Sequence, residues 1–229
     1  MNINLFFRIF SRVLMLLLVL PITNSARGLV AKSQGDDSAE REGRISLNPM
    51  DHLDPIGSLA ILLCGFGWSK PFPLNPSNFK NYKKGVILVS LAGPLTHFVS
   101  AWLCRVIVNI MYCYPSIIGD GSKLSMGYCV ALLLSALASI NICLGVINLL
   151  PIPPMDGFNI LFQLSGGKFR QWYYTKGAWL GRYSMYILLA LFFLPTLTNG
   201  LIDPLGFLVG LFSMFIEFAA SWVHLIFGR

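Results

Sequence analysis

Charged residues are scarce in this sequence. They make up 12% of its 229 residues, against 55% hydrophobic residues, whereas a soluble domain carries about a quarter charged residues. The chain therefore lacks the polar residues needed to cover a water-soluble fold. Its net charge of +7 is scattered over short loops. That distribution indicates anchoring at a lipid surface and excludes the single basic patch of a nucleic-acid-binding protein.

Cysteine pairs and histidines are also few. The five cysteines lie in apolar stretches without Cys-x-x-Cys spacing, which predicts buried free thiols instead of disulfides or zinc knuckles; they are Cys64, Cys104, Cys113, Cys129 and Cys143. The three histidines are His52, His97 and His224, so none occurs in the first 51 residues. We expect His224, near the end of the chain, to be an interfacial residue.

Long apolar runs are abundant, in contrast. About 20 apolar residues cross the ~30 Å of bilayer hydrocarbon as a helix, and five runs are long enough, roughly 5–22, 85–113, 125–150, 178–197 and 205–227. The sequence therefore predicts an all-α polytopic membrane protein with the lipid bilayer as its first partner. Its length suits a single membrane-embedded domain over residues 1–229. We expect a multi-pass protein of the cell membrane, plasma or inner.

One apolar segment is too short to cross. Pro55–Trp68 has 14 residues, which favours a re-entrant segment that enters and leaves on one face. The loop 69–84 that follows carries four lysines and no acid, which is typical of a cytoplasmic loop. We therefore expect loops 27–54 and 69–84 to share the cytoplasmic side, and five spans then place the N-terminus outside.

The N-terminal run 5–22 has two readings. A basic start, a short apolar core and small residues at Ser25–Ala26 are also the features of a cleavable signal peptide. Cleavage there would export the segment 27–54 and contradict the topology above. We expect the first helix to be retained, although composition alone leaves the two readings close.

Four stretches in the middle of the chain carry a resemblance. They are "GRISLNPMDHLDPIG" (43–57), "GFGWSKPFPLNPSNFKN" (65–81), "LAGPLTH" (91–97) and "NICLGVINLLPIPPMDG" (141–157). In this order they resemble the short bacterial branch of the site-2 protease family, which are intramembrane zinc metalloproteases. The resemblance implies a helical bundle with a zinc below the membrane surface, one ligand of which corresponds to Asp156. It also implies a substrate groove or structural set comprising Gly93, Pro94, His97, Asn148, Pro151 and Gly157.

The family's other two zinc ligands come from a His-Glu-x-x-His motif, and that motif is missing here. Spacing of i, i+4 places two imidazoles on one helical face, with the glutamate activating the bound water. Aligning the downstream stretch "GLVA" (28–31) puts Thr23, Asn24 and Arg27 at these three positions. Asparagine cannot act as the general base, and a guanidinium repels a dication. We therefore expect no catalytic residue and no cofactor, although the resemblance implies zinc.

Two histidines are candidates to rescue a metal site with Asp156. His97 stands where the family's Gly-Pro-x-x-Asn pattern has asparagine, and His52 matches a histidine that the family keeps outside its zinc ligands. A site formed by His52, His97 and Asp156 is conceivable. Histidines that complete a core hydrogen bond or order a loop are the more common case.

Several charged residues lie in or beside apolar runs. Arg105 is expected to extend toward the outer interface, and Glu217 has no partner that the sequence identifies. The charged stretch 32–44 is expected to be a solvated loop. Arg27 and Asp156 can compensate each other by pairing through two parallel hydrogen bonds. Alternatively, Arg27 contacts only headgroups and water.

Three functions follow from these patterns. The first is a catalytically inactive member of the family, a pseudoprotease that binds a transmembrane helix of a substrate or partner protein. The second is an active intramembrane zinc metalloendopeptidase with alternative ligands. The third is a transporter-like helical bundle, which has no visible internal repeat to support it. The substrate, the partner and the oligomeric state do not follow from the residues.

Overall fold

The computed structural model describes residues 3–64, 69–118 and 125–227, and within these ranges it is helical and contains no strand. The helices are α1 Ile3–Leu14, α2 Leu20–Gln34, α3 Ser38–Arg41, α4 Pro55–Cys64, α5 Tyr82–Cys113, α6 Pro115–Ile118, α7 Met126–Asn148, α8 Asp156–Leu164, α9 Gly167–Trp172, α10 Ala178–Leu197, α11 Pro204–Ala220 and α12 Trp222–Phe227. Two π-helical turns, Met15–Val19 and Tyr173–Gly177, join α1 to α2 and α9 to α10. Two 3₁₀ turns lie at Pro49–Asp51 and Pro76–Asn78.

Five helical segments are long and apolar enough to cross a membrane, as predicted. They are Ile9–Gln34, Tyr82–Cys113, Met126–Asn148, Gly167–Leu197 and Pro204–Phe227. Helix α5 is central, because α2, α7, α8 and α11 all pack against it. Its contact with α7 is built from small and medium side chains such as Ala101 and Ala138, which allow the close helix approach common in membrane bundles.

The first span is longer than predicted. The sequence indicated a helix ending near residue 22, where the apolar run stops, but α2 continues to Gln34. The polar residues Thr23, Asn24 and Ser25 do not end the helix because they are buried against protein and not exposed to lipid. Gly35 terminates it with a φ of 111°, a left-handed conformation that glycine adopts without strain.

The burial of the first span concerns the alternative in which a signal peptide is cleaved at Ser25–Ala26. Met15, Leu16 and Val19 are buried and pack with Ile61 of α4, and α1 also packs against α7. A cut at Ser25–Ala26 would divide a helix that is buried in the bundle. Retention of the first helix stays a prediction.

Segment 55–68 behaves as a re-entrant element as far as it is described. Helix α4 has only ten residues, and residues 65–68 lie outside the described ranges. The two ends of the excursion meet, since Lys70 N donates to His52 O at 2.9 Å. The buried guanidinium of Arg44 holds this junction together by donating to the carbonyls of Asp51, Lys70 and Pro71.

The charged stretch 32–44 is not simply a solvated loop, and that prediction was wrong for two of its residues. Arg44 is 6% exposed and Asp36 is fully buried. The Asp36 carboxylate accepts hydrogen bonds from Ser38, from the backbone N of Asn75 at 2.8 Å and from Asn78 Nδ2 at 2.9 Å. These bonds fasten the end of α2 to the loop before α5. The two loops are thereby held together.

Four cysteines lie in the described part of the chain and are free, as predicted, but only Cys104 is fully buried. The others, Cys113, Cys129 and Cys143, are half-buried. Their helices have one face toward the surrounding bilayer, which explains the partial exposure of an apolar thiol. The side chain of Cys64 lies outside the described residues.

Loops 35–44 and 69–81 should be accessible from the same side of the membrane. In a background without the native cysteines, single cysteines at the exposed positions Glu42 and Ser77 should react with an impermeant maleimide from the same side, because Asp36 joins the two loops directly. Labelling from opposite sides would contradict the re-entrant arrangement.

Replacement of Asp36 should lower stability in a pH-dependent way. Burial alone would raise the pKa of Asp36, but hydrogen bonds from Ser38, Asn75 and Asn78 outweigh it and hold the pKa below its ordinary value of 3.8. A lowered folded-state pKa stabilises the fold above the unfolded pKa, and that contribution is lost as the pH falls through the folded value. Asp36→Asn should therefore cost about 1–3 kcal/mol near pH 7.

The measurement for Asp36 is thermal unfolding in detergent across pH. The deficit of Asp36→Asn relative to the native chain should shrink as the pH drops below about 4. Asp37→Asn serves as the control, since Asp37 pairs only with the exposed Arg41 and should change little. A deficit for Asp36→Asn that does not change with pH would be incompatible with a buried carboxylate at this position.

Candidate functional site

The degenerate motif lies on the buried face of α2. Thr23 is 3% exposed and Asn24 is 5% exposed, and α2 packs against α5 at this level. Thr23 and Arg27 are four residues apart, so their side chains point to the same side of the helix. The structure therefore turns these positions toward the inside of the bundle, and their correspondence to metal-ligand positions is what the resemblance implies.

Arg27 contacts Asp156. The guanidinium Nη2 donates to the carboxylate Oδ2, and the two side chains are 18% and 13% exposed. This confirms the predicted ion pair and excludes the alternative in which Arg27 contacts only headgroups and water. The predicted pair of parallel hydrogen bonds was wrong, because Arg27 Nε is buried and has no partner among the described residues.

Backbone geometry brings the two charges together. The prolines before Asp156 end the apolar run and allow the short helix α8 to begin at this residue, so the carboxylate lies in the first turn of a helix, where a negative charge is favoured. Gly93 of α5 lies directly beneath the Arg27 guanidinium, and a Cβ there would collide with Arg27 Nε and Nη2. Gly157 is equally required, because a Cβ would meet the carbonyl oxygens of Leu149 and Leu150.

Burial and charge act against each other on Asp156. Burial raises the pKa of its carboxyl to about 6, and the charge and hydrogen bond of Arg27 oppose a larger rise. At pH 7 the carboxyl is therefore still mostly ionised, which is consistent with an ion pair. The first-turn position in α8 supports the same charge state.

His52 orders the loops and does not face the ion pair. Its Nε2 lies 2.8 Å from Ser46 O, which only accepts, so Nε2 carries the proton. Its Nδ1 is then an acceptor for Asn24 Nδ2 at 3.4 Å. Both ring nitrogens are occupied, and the fully buried His52 links α2 to the 3₁₀ turn Pro49–Asp51.

His97 is buried in the centre of the bundle, between α5 and α7. Its Nδ1 lies 3.1 Å from Asn141 Oδ1, and Asn141 Nδ2 donates to Leu137 O at 3.0 Å. Because the amide oxygen accepts, the His97 proton sits on Nδ1. Sequence reasoning missed Asn141, although a polar residue in the middle of an apolar run is the signal that would have identified it.

The histidine rescue site is not assembled. Within residues 3–64, 69–118 and 125–227, no group of three or more His, Cys, Asp or Glu side chains is arranged to hold a metal ion. His52 is committed to Asn24 and Ser46, and Asp156 is committed to Arg27. The arrangement of His52, His97 and Asp156 as joint ligands was therefore wrong.

The remaining residues that the resemblance implied are spread along the same side of the bundle. Pro94 is fully buried within α5 next to Gly93. Asn148 ends α7 and is half-buried, whereas Pro151 lies in the proline break and is exposed. They surround the break between α7 and α8, which leaves backbone without helical hydrogen bonds beside the ion pair.

Comparisons with known proteins agree with this geometry. The sequence pattern of Peptidase family M50 matches residues 110–192, a range that includes Asp156. A protein of Bacillus subtilis (strain 168) named "Putative zinc metalloprotease YwhC" is 37% identical over 141 residues, which are 61% of this chain and 62% of that protein. The chain thus spans less than two thirds of this relative's length. No solved structure matches.

The fold and the site together define a polytopic helical membrane protein built like an intramembrane metalloprotease. Both comparisons point to the site-2 protease family, Peptidase family M50, which this chain resembles. Zinc is the metal of that family. The site of this chain carries a different set of side chains.

The donor set does not fit zinc. A catalytic zinc site takes three protein ligands and a water, but Asp156 faces a guanidinium on α2 in place of an imidazole. Guanidinium nitrogens are protonated at every accessible pH and cannot coordinate a cation. Thr23 Oγ1 is buried without a partner, and a threonine hydroxyl is a weak zinc ligand. With Arg27 bonded to Asp156 Oδ2, a cation bound by the same carboxylate would lie beside a permanent positive charge.

The ion pair should contribute to stability as a coupled unit. Breaking a buried pair by removing one member costs about 3–5 kcal/mol, because the other charge is left uncompensated. Arg27→Ala and Asp156→Ala should each lower the thermal midpoint in detergent, and the double variant should lose much less than their sum. The exposed pair formed by Arg41 and Asp37 is the matched control, with coupling below about 1 kcal/mol.

If the double variant loses as much stability as the two single variants together, the coupling between Arg27 and Asp156 is as small as that of the control pair. The two charges would then not stabilise the fold together. The double-mutant cycle isolates this coupling from the loss of packing that each alanine also causes.

Proposed function

We propose that this chain is a catalytically inactive member of the site-2 protease family, in which an ion pair between Arg27 and Asp156 replaces the metal. One observation carries the proposal: the carboxylate that corresponds to a zinc ligand is bound by an arginine from the same face of α2 that would otherwise carry the ligand imidazoles. Asn24 stands at the position of the general base and is hydrogen-bonded to His52. The site therefore has neither a metal ligand set nor a base for water.

The proposed role of the inactive fold is to bind a transmembrane helix of another protein. Two features support this. The proline break before Asp156 is kept, with exposed Pro151 and half-buried Asn148 beside it. The bundle around the break is fixed by internal polar contacts and not by a metal. A pseudoprotease of this kind would hold a segment without cleaving it, as a multi-pass protein of the plasma or inner membrane.

The purified protein should contain no stoichiometric zinc. Arg27 occupies the Asp156 carboxylate, so a divalent cation would have to displace a permanent positive charge. Elemental analysis after purification in zinc-supplemented medium should give far less than one zinc per chain. About one tightly bound zinc per chain would contradict the proposal and favour the active protease with alternative ligands.

Restoring the motif should restore metal binding. In Thr23→His/Asn24→Glu/Arg27→His, two imidazoles return at i, i+4 and Asp156 is released from its partner, which recreates three protein ligands. This variant should bind about one zinc per chain, and the further change Asp156→Asn should abolish it. The single variant Arg27→His, which has only one imidazole, is the matched control and should bind poorly.

A proteolysis assay distinguishes the inactive pseudoprotease from an active metalloprotease. A tagged single-span substrate co-expressed with the native chain should stay intact, because neither a base nor a metal is present. Photo-crosslinkers at Asn148 and Pro151 should capture a membrane-spanning protein more than a crosslinker at the exposed Leu201 of the α10–α11 loop. Cleavage by the native chain, or equal capture from all three positions, would contradict the proposed function.

A further inference from the structure

A second pair of charges lies inside the membrane-spanning part of the bundle, away from the site. Arg105 on α5 and Glu217 on α11 approach to 3.5 Å between Nε and Oε2, with side chains 25% and 50% exposed. Arg105 is eight residues before the end of α5, about 12 Å along the helix axis. Both groups lie in helical segments that are long and apolar enough to cross a membrane, where an ionisable side chain indicates a function.

The two charges are close but not satisfied. The 3.5 Å separation is longer than a hydrogen bond, and neither side chain makes one to any residue in the described ranges. Arg105 therefore keeps its N–H donors, and Glu217 keeps both acceptor oxygens. In lipid no water replaces such partners, so the free hydrogen-bonding groups require protein.

The position of the two groups is fixed by the surrounding contacts. One turn before Arg105, Trp102 Nε1 donates to Ala219 O at 2.9 Å, and one turn after it, Asn109 Nδ2 donates to Ala220 O at 3.4 Å. These carbonyls are free because the last span breaks at Ser221, between α11 and α12. These contacts fix α5 and α11 against each other on both sides of Arg105, so the two charged residues stay neighbours.

The helix face that carries Glu217 is open. Gly206 and Gly210 lie 11 and seven residues before it, which are three and two turns, so all three share one face of α11. Both glycines are exposed, and a Cβ at Gly210 would meet no atom within 4 Å. At Gly206 the Asp203 carboxylate lies over the backbone, whereas at Gly210 the backbone is bare, which allows another helix to approach closely there. Glu217 of this face contacts α5 through Arg105.

We propose that this face, defined by Gly206, Gly210 and Glu217 of α11 together with Arg105 of α5, is a dimer interface that binds a second copy of this chain. The charge pattern selects a second copy. The face carries one charge of each sign at the same depth, so a two-fold axis along the membrane normal brings Arg105 of one copy to Glu217 of the other, twice. A partner helix with a charge of one sign would leave a net charge in the lipid.

The interface is independent of the proposed function. It uses neither Arg27 nor Asp156, so zinc content and proteolysis do not depend on it, and association can fail while the chain is still inactive. Conversely, a chain that binds zinc can still associate through this face.

A charge-exchange experiment tests the proposal in full-length chains carrying two different affinity tags, co-expressed and reconstituted in lipid nanodiscs or mild detergent. Native chains should co-purify. Arg105→Glu alone gives two acids on each face and Glu217→Arg alone gives two bases, so each should reduce co-purification at least about tenfold. When the Arg105→Glu chain is expressed with the Glu217→Arg chain, opposite charges meet across the axis and co-purification should return. An ion pair within one chain cannot produce this rescue, because each chain still has like charges.

A second variant avoids any change in charge. A Cβ at Gly210 meets no atom within 4 Å, so Gly210→Ile should leave the unfolding temperature of the bundle at its native value. The added side chain should block the close approach of a second helix, so co-purification should be lost. Gly166→Ile is the matched control, because its added side chain is also unobstructed but lies outside α11. Four results would each overturn the proposal. Native chains fail to co-purify, the exchanged pair fails to recover, the two isoleucine variants have equal effects, or a different membrane protein is captured in place of the second copy.

Discussion

The contact between Arg27 and Asp156 is the interaction on which the site and the central bundle depend. It joins the first span to the helix that follows the proline break, and it does so against the bare backbone of Gly93 in α5. A buried carboxylate without a partner is costly, and in a zinc enzyme the metal would compensate it. Here the arginine supplies the positive charge from a position where the family has a ligand. In the proposed function this charge takes the place of the metal.

Polar side chains in the interior complete the same pattern. Asn24 and His52 form a chain to the backbone of Ser46, and His97 and Asn141 form another between α5 and α7. In each chain the partner of the histidine fixes which ring nitrogen carries the proton, Nε2 in His52 and Nδ1 in His97. Satisfied buried networks of this kind make a core specific and rigid.

The fold was largely predictable from the sequence, because long apolar runs can only be helices in lipid. The length of segment 55–68 predicted that it does not cross, and the lysine bias of loop 69–84 predicted that its two flanking loops share a side. The contact between Lys70 and His52 was not predicted. The end of the first span did not, since Thr23, Asn24 and Ser25 read as the end of an apolar helix until burial against α5 is known. The burial of Asp36 and Arg44 could not be predicted either, because it depends on a loop about 40 and 26 residues away. Hydropathy describes a residue's preference for lipid, and it contains no information on which protein surface covers it.

The site was predictable in part for a similar reason. Arg27 and Asp156 are 129 residues apart, and only the resemblance to a family with a shared ligand site brought them together. The backbone oxygen of Ser46 that binds His52 could not be predicted, because any residue supplies such an oxygen. Asn141 is recognisable as a polar residue in an apolar run, but its pairing with His97 depends on how α5 packs against α7. The partner of Glu217 was missed because Arg105 was expected to extend to the interface, and the structure places it beside the acid instead.

The central claim, that a guanidinium occupies the carboxylate that a zinc ion would otherwise bind, is tested most directly by a distance. Solid-state NMR on the protein in lipid, with ¹⁵N-labelled arginine side chains and ¹³C-labelled aspartate carboxyls, reports dipolar coupling between the two groups. The account predicts a coupling that corresponds to about 4 Å or less, the range of an ion pair, and that disappears in Asp156→Asn while the couplings of the exposed pair Arg41–Asp37 are unchanged. A native spectrum identical to that of Asp156→Asn would contradict it.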